Sequence, residues 1–173
     1  MNFIPNNELE NRAIKLLRAS NTMEVPVPVE RIALYLSIAV EQVPLGEGVS
    51  GVLIVTDGKG RIGVNMEQSL VRQRFTIAHE VGHYVLHREL SDLFIDKEYV
   101  AFRNSESAKG AERGEIQANI FAASLLMPKE LVVNELSDQL IDIESTDVIA
   151  ELAHRFGVSE RAMTIRLTRL SLL

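Results

Sequence analysis

The stretch Gln68-Ser69-Leu70-Val71-Arg72-Gln73-Arg74-Phe75-Thr76-Ile77-Ala78-His79-Glu80-Val81-Gly82-His83-Tyr84-Val85-Leu86-His87-Arg88 contains no proline and repeats its apolar residues at helical spacing. That periodicity predicts one long α-helix. Within it, His79 and His83 frame an H-E-x-x-H motif. Side chains four apart on a helix share a face, with Cβ atoms about 5–6 Å apart, so the two imidazoles can close on one zinc ion at about 2.0–2.1 Å each. Arg72, Thr76, His79, His83 and His87 form a polar stripe suited to line a cleft, while Leu70, Val71, Phe75, Ile77, Ala78, Val81, Val85 and Leu86 supply apolar surface. The competing interpretation is a solvated helix face with incidental histidines.

A catalytic zinc needs a third protein ligand and an open position for water. His87 lies eight residues beyond His79. That is about 12 Å of helix rise, too far for both to reach one ion. A metzincin continuation is absent, because Leu86 and Glu89 stand where its Gly and third His would be. The third ligand therefore belongs on another helix. Glu115, within Glu115-Ile116-Gln117-Ala118-Asn119, is the best match. Asn119 shares its face and can hydrogen-bond the outer nitrogen of a ligand histidine, as partners behind metal ligands do. Glu112 is the rival, although apolar Ile116 follows it four residues later.

Before this helix, residues 38–43, 51–55 and 61–64 are short β-branched runs, and Asp57-Gly58 marks a tight turn between the last two. They predict a small, mostly antiparallel sheet. Helical periodicity covers residues 7–20 and a second short helix through Ile32, Leu34 and Leu36. After it, residues 111–127 predict the second long helix, ended by Pro128. Shorter helices are expected at 129–136 and 146–156, and Ser159 caps a last one with Glu160 in its first turn. The polar excursion 91–110 contains Leu93-Phe94-Ile95 and Tyr99-Val100-Ala101-Phe102, where a strand is expected. The expected class is α+β, zincin-like, with the H-E-x-x-H helix and a second ligand-bearing helix packed on the sheet.

The chain has 173 residues, of which 46% are apolar, enough for one sizeable core. With 18 Lys+Arg against 24 Asp+Glu, the formal net charge is -6, the wrong sign for coating a polyanion. The absence of Cys excludes disulfides, Cys-ligated zinc fingers and thiol catalysis, and points to a reducing compartment. No basic n-region precedes an apolar one, and no apolar run approaches the ~20 residues of a membrane span. A cytoplasmic protein without a membrane partner is expected. Gly46-Glu47-Gly48 lacks the last Gly and the Lys of phosphate-binding fingerprints and is expected to form a loop.

Arg74-Phe75-Thr76-Ile77-Ala78 leading into His79-Glu80-Val81-Gly82-His83, then Leu86-His87, and later Glu115-Ile116-Gln117-Ala118-Asn119-Ile120-Phe121-Ala122-Ala123-Ser124-Leu125-Leu126-Met127-Pro128 together resemble the ImmA/IrrE family of metallopeptidases. The resemblance is close over 74–128 and looser toward both ends. It implies a gluzincin-like site in which His79, His83 and Glu115 bind Zn2+ and Glu80 is the general base. It further implies a protease of bacteria or phages that inactivates helix-turn-helix repressors and thereby switches on mobile-element or stress-response genes. Gln117 stands where many relatives carry Glu. Facing away from Glu115, it is expected to leave the metal site untouched.

On physical grounds, a glutamate between two ligand histidines is placed to take a proton from zinc-acidified water and return it to the leaving amine. Tyr84, Tyr99, Arg103 and His154 are candidates for stabilising the oxyanion. Residues 61–64 are either an edge strand that receives substrate as an added strand or an ordinary internal strand. Residues 152–167 resemble a helix-turn-helix, with Ala153, a turn at Gly157, and Val158 and Met163 for packing. Four Arg stand against two Glu between Glu151 and Ser171, a net +2. The chain is expected to divide into a peptidase domain, 1–136, and a helical module, 137–173. That module would pack on the peptidase domain or hold the repressor substrate, because one weakly basic module gives little DNA affinity. The rival class is a DNA-binding or toxin-antitoxin regulator with a structural or vestigial metal site. A short chain without pro-segment or secretion signal is expected to cut few sites in one partner rather than proteins in general.

Overall fold

In the computed structural model, residues 4–97, 106–137 and 146–173 are described. Helices α1 (Asn6–Ala19) and α2 (Val29–Tyr35) precede strands β1 (Ala39–Val43), β2 (Val49–Thr56) and β3 (Lys59–Asn65). Helix α3 (Leu70–His87), strand β4 (Leu93–Lys97) and helices α4 (Glu106–Leu126), α5 (Lys129–Ser137), α6 (Thr146–Phe156) and α7 (Glu160–Arg169) follow. The class is α+β, as its alternating periodicities imply.

The sheet has the order β1-β3-β2-β4. β2 and β3 form the hairpin marked by Asp57-Gly58, whose φ angles of 50 and 74 are those of the primed turn that matches strand twist. β4 adds antiparallel to β2, whereas β1 joins β3 in parallel with Val40 opposite Ile62. The strand at 61–64 is therefore internal, and among the described residues the two sheet edges are β1 and β4. The excursion after α3 contains β4 at its start, while Tyr99-Val100-Ala101-Phe102 lies outside the described residues. α4 begins five residues before the expected start at 111.

One apolar core joins all layers. Leu53, Ile62 and Val64 from the sheet meet Ile77, Ala78 and Val81 of α3, Phe121 and Leu125 of α4, and Phe156, Met163 and Leu167 from the final helices. Ser159 caps α7, its Oγ accepting from Ala162 N at 3.2 Å. Of the residues expected to make a helix-turn-helix, Ala153, Val158 and Met163 are buried and Gly157 turns at φ 63. Arg166 donates to Met127 O at 2.8 Å and pairs with Glu10, and Arg74 of α3 donates to Gly157 O at 3.2 Å. Phe121 is fully buried at the centre. Phe121→Ala is expected to cost about 3–5 kcal/mol of stability in a denaturant titration, the range for truncating a buried aromatic ring. A cost under about 1 kcal/mol would contradict this packing.

Candidate metal centre

α3 threads the interior rather than lying on the surface. His79 and His83 are 2% and 3% exposed, so the histidines are not incidental groups on a solvated face. Ser69 fixes its start by accepting from Arg72 N at 3.3 Å. From there the polar stripe rises between α4 and β4.

α4 approaches α3 where residue 82 has no side chain. A Cβ on Gly82 would lie 3.2 Å from Ala118 O and 3.2 Å from Phe121 Cδ1, tighter than side chains ordinarily pack. That close approach carries Glu115 onto the histidine pair. Its Oε2 lies 3.1 Å from His79 Nε2 and its Oε1 3.2 Å from His83 Nε2. The two Nε2 atoms are 3.0 Å apart. Tetrahedral ligands with bonds of about 2.0–2.1 Å lie about 3.3 Å from one another, so these three groups have the spacing and chemistry to hold one metal ion. Asn119 Oδ1 lies 3.0 Å from His79 Nδ1, where it can accept that nitrogen's proton and leave Nε2 bare. Glu112, by contrast, is exposed.

Glu80 is 0% exposed, and neither carboxylate oxygen has a hydrogen-bond partner among the described residues. Such a group is costly to bury unless something nearby uses it. Burial, reinforced by the Asp96 and Glu115 charges and opposed by His79, pushes its carboxyl up to about 8. Glu115 goes the other way: burial raises it, but its close contacts with the His79 and His83 rings hold it down at about 2. His79 is depressed by burial, yet its contact with Glu115 and the carboxylates of Glu80 and Asp96 raise it overall. For His83, burial dominates and the ring is driven toward the neutral form.

β4 flanks the centre. Its Phe94 stacks on His83 with centroids 4.7 Å apart, and its Asp96 lies 3.4 Å from Arg72, which also donates to Ser50 Oγ at 2.7 Å. Tyr84, a candidate for the oxyanion, is spent elsewhere: its hydroxyl donates to Gly58 O at 2.8 Å in the β2–β3 turn. His154 lies exposed on α6, and Tyr99 and Arg103 fall outside the described residues.

The sequence placed His87 in the polar stripe but not among the ligands, and assigned Gln117 no part in the site. His87 is 1% exposed, with Nδ1 3.3 Å from His83 Nδ1 and Nε2 2.9 Å from Gln117 Oε1. Gln117 does point about 200° around α4 from Glu115, yet that direction is the buried face shared with Ala118 and Phe121, and it leads to the end of α3. Gln117 thus faces away from Glu115, as expected, and its side chain meets His87 rather than solvent. The signal available was a third histidine in i,i+4 register with His83.

The fold resembles that of a solved Mycobacterium tuberculosis transcriptional regulator, with a TM-score of 0.63 and 20% identity over 94% of this chain and 48% of that one. The chain thus spans about half of that larger protein. An uncharacterized immunity region protein 2 of Bacillus phage phi105 is 28% identical over 153 residues, 86% of this chain and 87% of the phage protein. The profile of the Peptidase_M78 family, described as the IrrE N-terminal-like domain, matches residues 33–168, which include the sheet, the histidine helix and Glu115, and the chain belongs to that family.

Proposed function

We propose that the protein is a cytoplasmic zinc-dependent endopeptidase whose substrate is a helix-turn-helix transcriptional repressor. The observation that carries the chemistry is Glu80, buried without a hydrogen-bond partner among the described residues beside the cluster of His79, His83 and Glu115. In this reading those three side chains hold Zn2+, and Asn119 orients His79. Zinc, when bound there, supplies Lewis acidity toward the scissile carbonyl and lowers the pKa of water toward about 7. The added positive charge would favour the carboxylate form of Glu80 at neutral pH. Glu80 then accepts the proton of the attacking water and returns it to the leaving amine nitrogen.

Substrate entry is assigned to β4. Among the described residues it pairs on one side only, with β2, and its Phe94 touches His83. An extended segment added along that edge would run past the metal centre, so the cleavable form of the substrate is extended or locally unfolded. The repressor reading draws on the family and on the immunity-region name of the phage relative. DNA as the direct partner is disfavoured by how two of the four C-terminal arginines are used: Arg166 is buried against Glu10, and Arg155 pairs with Glu135 at 2.5 Å.

The test is incubation of the zinc-loaded protein with the repressor encoded beside its gene, with and without operator DNA, and with casein as control. Cleavage of the repressor at few sites, slowed by the operator because bound DNA stabilises the folded substrate, is expected. Efficient digestion of casein with the repressor intact would reject the regulatory reading.

A further inference from the structure

We propose that His87 and Gln117 are positioning residues that fix the tautomer of His83, so that its Nε2 lone pair faces the ion. The inference rests on the zinc reading above and adds to it the partners that make His83 a ligand. The chain of contacts runs Gln117 Oε1 to His87 Nε2 at 2.9 Å, then His87 Nδ1 to His83 Nδ1 at 3.3 Å. Gln117 is 4% exposed, so all three groups sit in the interior.

Two facing imidazole nitrogens form a hydrogen bond only when one of them carries the proton. At the far end, a carbonyl oxygen can accept but not donate. Gln117 Oε1 therefore takes the Nε2–H of His87, which leaves His87 Nδ1 as an acceptor. His83 answers by placing its own proton on Nδ1, and its Nε2 is left bare. That bare atom is the one 3.2 Å from Glu115 Oε1 and 3.0 Å from His79 Nε2. Asn119 does for His79 in one step what His87 and Gln117 do for His83 in two. A donor aimed at His87 from position 117 would reverse the polarity, put the proton on His83 Nε2 and remove a ligand.

The experiment measures zinc affinity of the full chain by competition with a chromophoric chelator, for wild type, Gln117→Met, Gln117→Glu and His87→Phe. The visible absorption of the cobalt-substituted proteins and the melting temperatures of the metal-free proteins are recorded alongside. Gln117→Met and His87→Phe are expected to bind zinc about 10–100-fold more weakly, the usual effect of losing a partner behind a metal ligand, and to shift the cobalt bands. Gln117→Glu keeps an acceptor at the end of the chain and is expected to restore wild-type affinity or exceed it, with wild-type bands. Wild-type affinity and bands in Gln117→Met, or a Gln117→Glu as weak as Gln117→Met, would overturn the proposal while leaving the zinc reading intact. Loss of melting temperature without any selective loss of zinc affinity would do the same, since it marks a packing role alone. A wild-type chain that binds no zinc would overturn both.

Discussion

Purified protein is expected to hold about one zinc per chain, and His79→Ala, His83→Ala and Glu115→Ala are each expected to strip most of it. The three ligand atoms lie within 4.8 Å of one another, and no other described group of three His, Asp or Glu residues meets that condition. Removing any one leaves two donors, too few to retain a structural or catalytic zinc against water and buffer. Glu112→Ala, at an exposed position of the same helix, is expected to keep its zinc. Metal analysis after dialysis decides the matter. Normal zinc in Glu115→Ala together with loss in Glu112→Ala would move the third ligand one turn along α4.

Glu80→Gln is expected to keep both zinc and fold while peptide hydrolysis falls by about 10²–10⁴, the range for a positioned general acid-base. The change is nearly isosteric and removes only the proton-accepting oxygen. The carboxylate is fully buried, so an isosteric variant is the right probe. Initial rates on zinc-loaded proteins, matched by metal analysis, provide the measurement. A variant that cleaves at the wild-type rate would remove Glu80 from the chemistry.

What the sequence made legible was local. The H-E-x-x-H helix, the Asp57-Gly58 turn and the Ser159 cap each declare themselves within a few residues, because helix period, positive φ and capping oxygens are short-range requirements. Glu115 stood out through Asn119, four residues on, and the structure brings both side chains to His79. The strand order was not legible. Parallel pairing of β1 with β3 and antiparallel addition of β4 to β2 depend on contacts between distant segments, and the residue pattern of 61–64 suits an internal strand as well as an edge.

Gln117 shows a second kind of limit. A helical wheel gives the angle between positions 115 and 117 but not what stands opposite each of them. Only the crossing of α4 over α3 at Gly82 turns the far side of that wheel toward His87. Tyr84 failed as an oxyanion candidate for a similar reason, because its hydroxyl is claimed by a turn carbonyl 26 residues earlier in the chain.

The central claim is that the cluster of His79, Glu80, His83 and Glu115 hydrolyses peptide bonds of a repressor. It is tested most directly by mass spectrometry of that repressor after incubation with zinc-loaded wild type, with chelator-treated wild type and with Glu80→Gln. New termini at one or a few positions with zinc-loaded wild type, and their absence or near absence in the other two reactions, is the predicted result. An intact repressor with zinc-loaded wild type, or the same fragments at the same rate after chelation, would contradict it.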